Sequence, residues 1–172
     1  MLRPESEPRR SQHIGPARPG SLDAWTIDVG GLITRPLTLA ISQLAALDSP
    51  VSLRSSGKCG AGPGVSDGLF EGLPLLSLAS HVGVQPEARY VCVHSAGFTA
   101  AFALDSLVRR ETILALRKDG VPLDWSDGGP VRVVAVKGAC FDMVKWVERV
   151  TFEAGNSSAT AVPIVRARRH TS

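Results

Sequence analysis

The chain has 172 residues, of which 44% are hydrophobic, 20% charged and 5% aromatic. That apolar content suits one compact domain with a real core and is too high for a disordered chain. The net charge of +3 is mild and its arginines collect at the two ends, and no apolar run reaches the roughly 18 residues a bilayer crossing needs, so neither nucleic-acid binding nor a membrane span is expected.

Residues 1–23 hold four prolines and no apolar signal core, and read as a disordered arm. Residues 24–153 carry the domain, and 154–172 form a loose basic tail. Trp25-Thr26-Ile27-Asp28-Val29 alternates apolar and polar, the pattern of a half-buried strand, and Gly30-Gly31 allows a tight turn after it. Leu37 to Leu39 precede a short helix over Ile41 to Leu47, closed by Asp48-Ser49-Pro50. Val51 to Ser55 reads as a strand running into a glycine-rich loop, and Leu75 to Val82 as a helix. Tyr90 to Ser95 and Phe98 to Leu104 make a hairpin. Ile113 to Leu116 is a strand or a helix end, and Asp119-Gly120 is a hairpin turn. Arg132 to Val136 is a buried strand, Asp142 to Trp146 a helical turn, and Val147 to Phe152 the last strand. The mixed, strand-rich order argues an α+β fold. Three cysteines, Cys59, Cys92 and Cys140, are an odd number without a CxxC pair, which fits a reducing compartment, the cytoplasm. Cys92 alternates on an apolar strand and is a core residue.

Four fragments in order carry a resemblance: WTIDVGGLITRPLTLAISQLAAL, LFEGLPLLSLASHVGV, YVCVHSAGFTAAFAL and LRKDGVPLDWSDGGPVRVVAVKGACFDMVKWVERVTF. Over residues 25–153 the chain resembles the molybdopterin-binding domain of the sulfite oxidase superfamily. The resemblance implies a mixed sulfite-oxidase-like fold and a molybdenum–molybdopterin cofactor. It implies an oxidoreductase that transfers oxygen to or from a small anionic or sulfur-containing molecule. Electrons would pass to a separate electron-transfer protein, since the chain has no haem, flavin or iron–sulfur ligand set. A lapsed domain that only binds pterin or protein is the alternative.

In that family the metal-ligating cysteine follows a strand of the form x-Leu-x-Cys. Here Ser55 stands in that place, after Ser52-Leu53-Arg54. A serine oxygen is a harder donor with a far higher pKa than a thiol. Cys59, four residues on, is the metal ligand and catalytic thiolate, a bystander in the glycine-rich loop, or a residue with another redox role. The resemblance implies that Arg132, after Gly128-Gly129-Pro130-Val131, holds the cofactor or a substrate anion; a guanidinium fork matches an oxyanion. Without it, Arg132 is a strand arginine in a surface ion pair with Asp127 or Asp142. Met143, Val144 and Lys145 match the segment that wraps the pterin and its phosphate; otherwise Lys145 is a solvated lysine ahead of a packed Trp146. Asp127 occupies a slot that is often Asn, where a carboxylate repels an anion. His94 ends a strand whose edge faces the cofactor pocket in relatives, or is a histidine satisfied at a hairpin turn. His81 ends a helix, where it suits the dipole.

Overall fold

The computed structural model describes residues 15–55, 67–109, 111–136, 143–156 and 159. Its strands form two five-stranded sheets. In the first, β1 (Thr26–Gly31) buries Ile27 and Val29 and exposes Thr26 and Asp28, as the alternation requires. It pairs antiparallel with β2 (Leu37–Ala40) and parallel with the final strand, β10 (Arg149–Glu153). β10 pairs with β5 (Tyr90–Ser95), which forms a hairpin with β6 (Phe98–Ala103). Gly30 and Gly31 are not a turn. They continue β1 opposite Thr151 and Phe152. Gly31 has φ +85°, and a Cβ there would overlap the Phe152 carbonyl oxygen, so close approach is what demands the glycine.

The second sheet runs β3 (Val51–Ser55), β4 (Gly68–Pro74), β7 (Thr112–Lys118), β8 (Val121–Pro122), with β9 (Arg132–Ala135) also paired to β7. Asp119-Gly120 turns β7 into β8, both residues at positive φ, as a two-residue hairpin loop needs. Two short helices, α1 (Ile41–Ala45) and α2 (Ser77–Val82), complete the frame. The Gln43 side chain accepts from the Ala40 N–H at the start of α1, and Gly83 closes α2 in the left-handed region.

The main core lies between the sheets and includes Ile27, Leu73, Val91, Leu114, Val133, Val150 and Phe152. Alternation on the second sheet sends the other residues to its far face. There Phe70, Ile113, Ala115, Leu123 and Val134 form a second, smaller core, flanked by Val51 and Leu53. β3 comes back against β9, so this sheet curls around that core. Cys92 is buried in β5, a core residue as expected.

Residues 143–146 depart from the helical turn expected over Asp142 to Trp146; they run without helix, with Trp146 at φ +53°. Their hydrogen bonds go outward instead. The Val144 carbonyl accepts from Val133 N–H, and Trp146 N–H donates to the Gly128 carbonyl. Asp142, Lys137, Cys59 and Cys140 lie outside the described residues. Of the expected terminal arm and tail, residues 1–14, 157–158 and 160–172 also lie outside them. Among the described residues ahead of β1 the structure places a 3-10 turn, Leu22–Ala24, and it sets Gly15 against the Trp146 ring. Among the described residues no helix is long and apolar enough to cross a membrane.

Candidate cofactor site

The site forms at one end of the second core, where β9 begins. Alternation puts Val133 in the main core and Arg132 with Val134 on the opposite face. Arg132 is fully buried. Its Nη1 donates to the Asp127 main-chain carbonyl at 2.8 Å, and its guanidinium lies 5.5 Å from the Phe70 ring centroid. Among the described residues its Nε and Nη2 have no hydrogen-bond partner. Arg132 is therefore not a surface residue, and Asp142, the other ion-pair candidate, lies outside the described residues. Burying a charged group with two open donors is costly, and the cost is removed by an acceptor arriving from outside the fold. Burial lowers the Arg132 pKa to about 10, against the opposing pull of Asp127, so the group stays charged at neutral pH.

Lys145 lies beside it. A Cβ on Gly128, which has φ +92°, would stand 2.5 Å from Lys145 Cγ, so the lysine stem rests on the glycine backbone. Lys145 Nζ donates to the Ser126 carbonyl at 3.3 Å and sits 5.6 Å from the Trp146 ring centroid. Burial first, and then the Arg132 charge, push its pKa below the ordinary lysine value.

A third cation, Lys118, was not visible as a site residue in the sequence. It ends β7 directly opposite Phe70 on β4. Its Nζ is 3.1 Å from both Asp127 carboxylate oxygens and 5.9 Å from the Phe70 ring. Asp124 fixes this loop, its carboxylate accepting from Ser126 Oγ and Asp127 N–H, each at 2.8 Å. The Asp127 N–H bond, with Ser126 next, lowers the Asp124 pKa. The signal for Lys118 and Phe70 is cross-strand register, which no local periodicity carries.

Three tryptophans wall the loop. Trp125 lies 5.8 Å from Trp25 and 5.3 Å from Trp146 between ring centroids, and Trp146 Nε1 donates to the Trp125 carbonyl at 3.0 Å. Met143 is half-buried, and Val144 belongs to the main core. Ser55 is buried at the end of β3, opposite Gly68, on the strand that flanks the second core. His94 is not brought to this group. It lies on the other sheet, lining a separate cleft of about 650 Å³ with Trp25, Asp28 and Arg149. Its Nδ1 is 2.9 Å from Thr99 Oγ1, and its Nε2 is 2.7 Å from Thr151 Oγ1. Thr151 gives its own proton to Glu153 Oε1 at 2.6 Å, so Nε2 is a donor. Burial lowers the His94 pKa, with Glu153 opposing and Arg149 adding to the shift. Among the described residues no group of three His, Cys, Asp or Glu could hold a metal ion.

Fold and site together define a mixed α+β domain in which a buried arginine, Arg132, lies beside two lysines, Lys145 and Lys118. A family model described as "Oxidoreductase molybdopterin binding domain" matches residues 15–161, and the chain belongs to that family. Nitrate reductase (NADH) 1 of Oryza sativa subsp. japonica is 29% identical over 173 residues, covering 80% of this chain. Nitrate reductase (NADH) 1 of Nicotiana tabacum is 28% identical over 171 residues, covering 79%. The chain spans 19% of the length of each of these two relatives. The sulfane dehydrogenase SoxCD of Paracoccus pantotrophus shares the fold at a TM-score of 0.69 and 21% identity, over 81% of this chain and 40% of that one. The family implies a molybdenum–molybdopterin cofactor. The residues present fit its anionic part: two open buried N–H groups on Arg132, a second cation in Lys145, and a glycine backbone at Gly128.

Proposed function

We propose that this chain is a molybdenum-cofactor oxidoreductase that transfers an oxygen atom to or from a small anionic or sulfur-containing substrate. Electrons then leave to a separate electron-transfer protein. The observation that carries this reading is the buried Arg132 with Nε and Nη2 open. Nitrate and sulfane sulfur, in the names of the relatives, both belong to the proposed substrate class.

When bound, the cofactor supplies a metal centre that exchanges oxygen with a two-electron change. The chain's own residues bind and orient. Arg132 holds an oxyanion through its unbonded Nε and Nη2, on the cofactor or on the substrate. Lys145 neutralises phosphate charge, and the Gly128 backbone lets the ligand come close. Phe70 under Arg132 excludes water and strengthens each charge–charge contact. Met143 and Val144 supply the backbone wall. Cys59 is the proposed thiolate to the metal, with Ser55 as the alternative donor. The odd cysteine count without a CxxC pair supports a reducing compartment, the cytoplasm.

The serine at the end of β3 favours one second reading, a lapsed domain that keeps pterin or protein binding without turnover. Molybdenum per chain, measured after expression in a cofactor-making host, separates the two. The enzyme reading expects near-stoichiometric metal that is lost or spectrally altered in Cys59→Ala. Metal that responds only to Ser55→Ala assigns the serine. A folded chain without metal leaves the lapsed reading.

A further inference from the structure

We propose that Phe70 is a positioning residue of the cradle: the face of its ring, through a cation–π contact, holds the Arg132 guanidinium in the orientation that leaves Nε and Nη2 for an anion. The inference rests on the anion-cradle reading above.

Among the described residues one hydrogen bond, Nη1 to the Asp127 carbonyl, restrains the guanidinium. A single bond leaves the planar group free to turn about it. The second restraint is the Phe70 ring, whose centroid lies 5.5 Å from Arg132 Cζ, within cation–π reach. Both side chains are fully buried, so the contact is desolvated, where a cation–π contact is strongest. The charges nearby do not replace it. Lys145 repels the guanidinium, and Asp127 attracts it. A carboxylate that held the guanidinium would also oppose an incoming anion, whereas an uncharged ring holds the cation and leaves its charge to the ligand. The ring is set in place by strand register. β4 pairs with β7 through a shift between Glu71 and Gly72, which puts Lys118, and not Arg117, opposite Phe70. A Cβ on Gly72 would overlap the Leu114 carbonyl oxygen, so glycine is what allows this close pairing. Lys118 Nζ then lies 5.9 Å from the same ring, and one aromatic floor carries two cations.

Fluorine separates this role from mere packing, because each fluorine draws electron density from the ring face and changes its shape little. Phe70 is replaced site-specifically by mono-, di- and trifluorinated phenylalanine in the full chain expressed without cofactor, and inorganic phosphate is titrated calorimetrically. Phosphate binding weakens with every added fluorine, about tenfold in the trifluorinated protein, equivalent to about 1.4 kcal/mol. Thermal melts read the contact without any ligand. Tm falls along the series in the wild-type background and stays level in the Arg132→Met background, because only the charged partner feels the ring face. A ring that only fills the core gives flat affinity along the series and the same Tm change in both backgrounds; either result overturns the inference, and so does tighter binding along the series. Phe70→Leu, apolar and without a π face, weakens phosphate binding at least as much as full fluorination, and wild-type affinity in a folded Phe70→Leu overturns the inference. If the fluorine series is flat while Arg132→Met abolishes phosphate binding, Phe70 loses this role and the cradle stands. If wild type binds no phosphate, or Arg132→Met binds as well as wild type, the cradle reading falls and the inference with it.

Discussion

Replacing Arg132 by methionine in the cofactor-free chain should raise stability, not lower it. Methionine matches most of the length of the arginine stem and brings no charge into the second core. The change removes two buried N–H groups without partners, Nε and Nη2, each worth about 1–3 kcal/mol of unrecovered desolvation. It also removes one charge-assisted bond, Nη1 to the Asp127 carbonyl, worth about 1.5–3 kcal/mol. At the middle of those ranges, about 4 against about 2 kcal/mol, the balance is a gain of about 2 kcal/mol. For a chain of this size that raises Tm by about 4–8 °C. Differential scanning calorimetry on both proteins, expressed without cofactor, reads the shift. In cofactor-loaded protein the sign reverses, because the open donors are then bonded. A fall in Tm of the cofactor-free variant would make Arg132 a structural residue and refute the cradle.

Gly128→Ala forces a Cβ into the Lys145 stem at a positive φ. It should cost about 1–3 kcal/mol and weaken phosphate binding, both read on one sample by thermal melt and titration. Phe70→Ala removes the largest apolar side chain of the second core and should cost about 3–5 kcal/mol in urea unfolding; a loss under about 1 kcal/mol would contradict that packing. His94 has a folded pKa below its unfolded value of 6.5. The unfolded chain therefore binds more protons below that value, and stability from this group falls as pH drops beneath 6.5 and levels off above it. His94→Gln should flatten the slope of Tm against pH below 6.5. An unchanged slope would show that His94 titrates alike in both states. Lys145, lowered by burial, should release its proton before an ordinary lysine, so phosphate binding should begin to weaken at a lower pH than a solvated lysine would dictate.

The strands were legible wherever burial is one-sided. Ile27 and Val29 against Thr26 and Asp28 fix β1, and the Asp119-Gly120 turn fixes a hairpin by its φ requirement. Arg132 and Lys145 were singled out because a spaced motif names them. Lys118 and Phe70 were not, because what joins them is the register of β4 on β7, a long-range property. The Gly30-Gly31 pair and the segment before Trp146 misled for the same reason. Locally each suits a turn, while the observed conformation answers to a distant backbone, Phe152 in one case and Gly128 with Val133 in the other. His94 kept its half-buried strand place, and its partners proved to be two threonine hydroxyls on neighbouring strands.

Pterin per chain tests the central claim most directly. Wild type and Arg132→Met would be purified from a cofactor-making host, and the bound pterin oxidised to its fluorescent form and quantified against folded protein. Near-stoichiometric pterin in wild type and little in the variant is the expected result. A folded wild type without pterin, or equal pterin in both, would contradict the assignment of this cradle to the molybdopterin.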